Sequence, residues 1–157
     1  MDLKDILSPD CTRAAVSESS KKKVLELISQ LIAPKLAGVN KSDIFDSLLQ
    51  RERLGSTGIG LGIAIPHGRL ENAGHPVAAL ITLSQPIDFD AIDNQPVDLV
   101  FALLVPKENP EAHLKTLSAV ASRLNDKDCC RGLRSATSDQ ALHEQMIGEP
   151  TSCNSSS

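Results

Sequence analysis

Two apolar runs constrain this chain more than any other feature. Val77 to Leu83 reads VAALITL, and Val97 to Val105 reads VDLVFALLV. A strand with one wet face alternates apolar and polar residues, so runs without alternation predict strands covered on both faces. Covering both faces requires helices above and below a sheet, and the flanking segments supply them. Val24, Leu25, Leu27, Ile28, Leu31 and Ile32 repeat on one helical face, behind a candidate cap at Ser19 or Ser20. A second helix is expected at about Asp43 to Gln50, with Ser42 as N-cap, Ile44, Phe45, Leu48 and Leu49 inward, and Gly55 as its stop. Asn109-Pro110-Glu111 combines a cap residue, a proline at the first helical position and an acid in the first turn. That helix carries Leu114, Leu117, Val120, Ala121 and Leu124, and two more follow at Asp126–Arg134 and Ser138–Ile147. The expected fold is therefore α/β: a single layered domain over residues 1–148, with a mixed, mostly parallel central sheet flanked by helices. Residues 149–157 read as a disordered polar tail. SQPIDFDAIDNQP, between the two runs, reads as a connector with a short edge strand.

Composition narrows the function classes. There are three Phe and no Trp or Tyr, so the core is aliphatic and no base-stacking platform can be built. The net charge is -4, and the longest basic cluster, Lys21-Lys22-Lys23, opens an amphipathic segment and reads as a solvated helix end. Nucleic-acid binding is not expected. No apolar run of about 18 residues exists, and MDLKDILSPD lacks the order of a signal peptide, so the expectation is a cytoplasmic protein without membrane insertion. Cys11, Cys129, Cys130 and Cys153 form no CxxC pair and have no histidine at ligand spacing, so bound zinc is not expected and reduced thiols are.

The chemistry concentrates in GSTGIGLGIAIPHGR, Gly55 to Arg69. Pro66 confines Ile65 to extended conformations and fixes its own φ, so His67 is delivered with little freedom. Read this way, His67 ends a short strand and Gly68 lets the chain turn away, at the kind of position where open α/β sheets bind ligands. The glycines fit no nucleotide loop: GxxxxGK lacks its lysine, and GxGxxG fails because Ile63 stands at the last position. No cofactor is expected. Ser56, Thr57, Gly58 and Gly60 instead read as a loop whose hydroxyls and backbone N–H groups can meet an anion. His113, in the first turn of its helix, lies where unpaired N–H groups favour an anion and an imidazole stays neutral. The two histidines converge only if that helix starts beside the GIAIP strand. A metal-dependent hydrolase built on His67, His113 and Asp90 or Asp93 is an alternative of another class, but it has no HExxH-like spacing.

Three stretches resemble the enzyme IIA proteins of the phosphoenolpyruvate phosphotransferase system, in the fructose/mannitol class and most closely its nitrogen-regulatory branch. They are RERLGSTGIGLGIAIPHG (Arg51–Gly68), FDAIDNQPVDLVFALLVP (Phe89–Pro106) and HLKTLSAVASRL (from His113). The resemblance runs to about residue 147. It implies that His67 accepts the phosphoryl group, that His113 lies beside it in support, and that Arg51 stabilises the phosphate. Helical periodicity alone does not choose Arg51 over Arg53. The resemblance further implies a histidine-phosphocarrier protein as donor and regulatory targets such as sensor kinases or transporters, serving nitrogen, potassium or carbon balance. The alternative it leaves open is a IIA component that passes phosphate to a IIB domain in sugar uptake. Leu61 departs from the pattern, which usually carries a polar residue there, commonly Asn. His75 and His143 match no motif and are expected at the surface.

Overall fold

The computed structural model of the chain describes residues 3–71, 73–108 and 110–148. Its elements are α1 (Leu3–Ile6), β1 (Leu7–Val16), α2 (Lys21–Ile32), a 3-10 turn (Ala33–Lys35), α3 (Lys41–Leu54), β2 (Gly58–Gly60), β3 (Ile63–Ala64), β4 (His67–Leu70), β5 (Val77–Ile87), β6 (Val97–Pro106), α4 (Pro110–Leu124), α5 (Lys127–Ser135) and α6 (Asp139–Ile147). One sheet runs β1-β5-β6-β3-β2, and β4 also pairs with β6. β1·β5, β3·β6 and β4·β6 are parallel, whereas β5·β6 and β2·β3 are antiparallel.

The two apolar runs become the central strands β5 and β6, and alternate residues serve opposite layers. Ala79, Ile81, Val100, Ala102 and Leu104 pack beneath α2 and α3 with Val24, Ile28, Ile44 and Leu48. Ala78, Leu80, Leu99, Phe101 and Leu103 face Val120, Leu124, Leu133, Leu142 and Met146 of α4 to α6. Burying each of the valine, leucine, isoleucine, phenylalanine and methionine side chains contributes about 1.5–3 kcal/mol, so the sheet is held by both layers at once.

Caps set the helix starts. Ser20 accepts from the Lys23 N–H at α2, Asp126 from Asp128 and Cys129 at α5, and Ser138 from Ala141 at α6. For α3 the cap is Asn40, which accepts from the Asp43 N–H, and not Ser42, so the helix starts earlier than expected and runs on to Leu54. α4 begins at Pro110; its expected cap, Asn109, lies outside the described residues, as do Cys153 and the 149–157 tail.

LSPDCTRAAV has no clean alternation and contains a proline, yet forms β1; an edge strand tolerates both, and its register shifts, with Ala15 at φ 54°, absorb the mismatch. Two expectations are corrected. His143 is buried rather than at the surface, because its Nε2 donates to the Leu7 carbonyl at 2.9 Å and ties α6 to β1. Lys21 is not a solvated helix end, since its ammonium is 2.8 Å from the buried Glu52 carboxylate and 3.6 Å from Asp90. His75 is exposed, as expected.

Candidate functional site

β3 and β4 are two pieces of one line along the edge of β6. Ile63 and Ala64 pair with Leu99 and Val100, and His67 to Leu70 pair with Leu103 to Pro106. The break falls at Ile65-Pro66, where proline has no N–H to give the ladder. Pro66 still accepts from the Leu103 N–H at 2.9 Å, and the Ile65 N–H turns to the Thr57 carbonyl at 3.0 Å. Freed from the ladder, the Ile65 carbonyl accepts from His67 Nδ1 at 2.9 Å. The proline thus shapes the site by interrupting a strand. His67 opens β4 instead of ending a strand, and Gly68 lies within the strand instead of leading a turn away. A Cβ on Gly68 would collide with the Ser47 hydroxyl of α3, so the glycine is there for close packing.

The Ile65 bond fixes the tautomer of His67. A carbonyl can only accept, so Nδ1 carries the proton and Nε2 presents its lone pair. Arg51 Nε donates to that Nε2 at 3.2 Å, while its Nη1 holds the Gly55 carbonyl at 2.8 Å. Burial, above all, holds the His67 pKa below the usual histidine value; Arg51 and Arg69 add to the lowering, and the Ile65 bond and Glu52 oppose it. A half-buried, neutral imidazole with one oriented lone pair is a nucleophile.

His67, Arg51, Arg53, Leu54, Arg69 and Lys107 line one open cleft of about 620 Å³. His113 does not line this cleft. It is buried in the first turn of α4, and its Nδ1 has no hydrogen-bond partner among the described residues. Burial first and the Arg69 charge second lower its pKa, which keeps it neutral as well. A smaller groove between α2 and α3, about 220 Å³ with Glu26, Lys41, Phe45 and Asp46 on its walls, carries no histidine or cysteine.

The glycine-rich loop departs from the anion cradle that was expected. Ser56 Oγ donates to the Phe89 carbonyl at 2.6 Å and accepts from the Gly58 N–H at 3.0 Å. Thr57 gives both its N–H and its hydroxyl to Glu52. These donors are spent inside the fold. Gly58 is required because a Cβ would lie 2.8 Å from that of Ala91. Gly60 sits at φ 99°, a left-handed conformation that glycine adopts without strain.

Glu52 was missed in the sequence. It neighbours Arg51 in α3, is 7% exposed, and joins Lys21 to Thr57 and so to the Gly55 segment that Arg51 grips. A glutamate in the last turn of a helix, against the dipole, was the available signal. Asp90 pairs with Lys21, and Asp93 accepts from the Leu61 and Gln95 N–H groups at 3.0 and 3.1 Å. No three His, Cys, Asp or Glu side chains converge among the described residues.

Leu61 has φ 60° and is 64% exposed, so its departure from the usual Asn is paid in backbone strain. Leu61→Asn is expected to raise stability by about 0.5–1 kcal/mol, because Asn visits the left-handed region more readily. The urea midpoint should rise at constant slope; a fall would mean that the Leu61 side chain contributes more than its strain removes.

Comparison with known proteins places these features in a family. Residues 5–148 match the model of the phosphoenolpyruvate-dependent sugar phosphotransferase system, EIIA 2. The chain is 53% identical over 145 residues to the nitrogen regulatory protein of Klebsiella oxytoca, covering 92% of this chain and 89% of that one. It is 52% identical to that of Escherichia coli K12, covering 92% and 88%. The crystal structure of the nitrogen regulatory protein IIA-Ntr from Neisseria meningitidis superimposes with a TM-score of 0.84 at 34% identity, covering 90% of this chain and 97% of that one.

Proposed function

Because this chain belongs to the EIIA 2 family of the phosphoenolpyruvate-dependent sugar phosphotransferase system, we propose that it is a regulatory phosphoryl carrier in which His67 Nε2 is the acceptor. The observation that carries this reading is the pair of bonds on His67: Nδ1 fixed by Ile65 and Nε2 facing Arg51.

The Nε2 lone pair attacks the phosphorus of the donor's phosphohistidine. As the new N–P bond forms, the old one breaks and its electron pair returns to the donor imidazole. The proton on Nδ1 stays, so the phosphorylated ring becomes cationic, and the Ile65 carbonyl that accepts from it stabilises that charge. Arg51 moves from the lone pair to the phosphoryl oxygens while Gly55 keeps its guanidinium in place. Charge compensation and positioning are the main demands of phosphoryl transfer. His113 supports the site from the first turn of α4, outside the cleft itself. The donor is a histidine-phosphocarrier protein, and the two states of His67 are read by regulatory partners such as sensor kinases or transporters. The nitrogen-regulatory relatives favour this role over delivery to a IIB domain in sugar uptake.

As the pH falls, the midpoint for loss of acceptance should lie below about 6.5, the ordinary histidine pKa. The sign follows from the lowered pKa, which keeps Nε2 unprotonated to more acidic pH. Initial rates of labelling across pH test this. A limb at or above the ordinary histidine value would contradict it.

A further inference from the structure

We infer that the cleft beside His67 is a docking slot for an acidic face of the partner protein, a deepening that rests on the phosphoryl-acceptor reading of His67. The chain as a whole is acidic, at -4, yet the cleft inverts that sign. Arg51, Arg53, Arg69 and Lys107 all line it, and no aspartate or glutamate does. Arg53 and Arg69 make no ion pair among the described residues; Lys107 has one, with the exposed Glu71 at 3.2 Å. Three cations outside the cleft, by contrast, have close carboxylate partners: Lys21 has Glu52, Lys35 has Asp10 and Arg134 has Asp98.

Arg51 is occupied by His67 and Gly55 and is sufficient to meet one phosphoryl group. The remaining three cations, in a space of about 620 Å³, exceed what a phosphoryl group needs. Leu54, 86% exposed on the wall of the same cleft, supplies an apolar contact at its edge. Arg53 and Arg69, without ion pairs among the described residues, and Lys107, paired only with an exposed glutamate, stand around an exposed leucine; they fit a protein surface bearing carboxylates, which would be drawn in by charge and seated on the leucine. Such rim charges act mainly on the association rate and its salt dependence.

The test compares two donors on the full chain. One is the phosphorylated histidine-phosphocarrier protein, the other is phosphoramidate, which is too small to have a docking face. For Arg53→Glu combined with Lys107→Glu, kcat/KM with the protein donor should fall about tenfold or more beyond any change with phosphoramidate. That excess loss should shrink as salt screens the charges. Equal losses with both donors would assign the cations to the phosphoryl group or to the fold, and a faster protein donor would mean a basic partner face; either overturns the inference. Failure of phosphoramidate to label wild-type His67 would instead defeat the acceptor reading. The docking surface is then still read by calorimetry with the unphosphorylated carrier, where unchanged affinity in the variant overturns it. Tighter binding of a DNA oligonucleotide than of the carrier would replace the protein face by a nucleic acid.

Discussion

His67→Ala is expected to take up no phosphoryl group at all, from either a phosphocarrier protein or a small phosphoramidate, while remaining folded. The chemical loss is complete because the acceptor atom is gone, and no other histidine among the described residues has the same arrangement: His143 spends its Nε2 on Leu7, His113 lies outside the cleft, and His75, although its Nδ1 also faces a carbonyl, that of Pro76, is exposed and lines no part of the cleft. The structural loss is small. His67 is half-buried, and its bonds go to a carbonyl and to an arginine that retains Gly55, so the cost should be about 0.5–1.5 kcal/mol. Intact-mass measurement should show one added phosphoryl in wild type and none in the variant, with similar thermal unfolding. The wild-type linkage should be labile in acid and stable in alkali, as a phosphoramidate is. A label that persists in folded His67→Ala, or that survives acid, would transfer the acceptor role elsewhere.

Arg51→Lys should slow transfer by about 10²-fold, or roughly 2.7 kcal/mol, although the charge is kept. The guanidinium does two things at once, with Nε on His67 and Nη1 on the Gly55 carbonyl. An ammonium on a flexible stem can reach one of these positions but lacks the planar fork that holds both. Single-turnover labelling should therefore show a lower rate with an unchanged endpoint. A rate equal to wild type would remove Arg51 from the chemistry, and Arg53, in the same cleft, would be the residue to test next.

The site was legible in part, for local reasons. IPHG announces a histidine held by a proline, since both restrictions act within two residues of chain. The break that proline makes in the ladder is not local, because it exists only when β6 lies alongside. The same holds for Gly68, whose need for hydrogen at Cα comes from Ser47 on α3. The hydroxyls of Ser56 and Thr57 looked available because a sequence lists donors without their acceptors; Glu52 and Phe89 take them. Arg51 and Arg53 were equivalent until α3 packed and directed Arg51 onto His67.

By itself the sequence determined what depends on periodicity and short range: two central strands covered on both faces, the helices at Val24 and from Pro110 onward, and a constrained histidine in a glycine-rich segment. Hydrophobic pattern and proline geometry are properties of neighbouring residues, so they can be read in line. Only the tertiary structure decided which end of His67 carries its proton, that Lys21 and Glu52 meet in the interior, that β1 joins the edge of the sheet, and that four cations share one cleft. Each of these joins residues from different elements, and the energies that settle them, burial and pairing, exist only once the layers are packed.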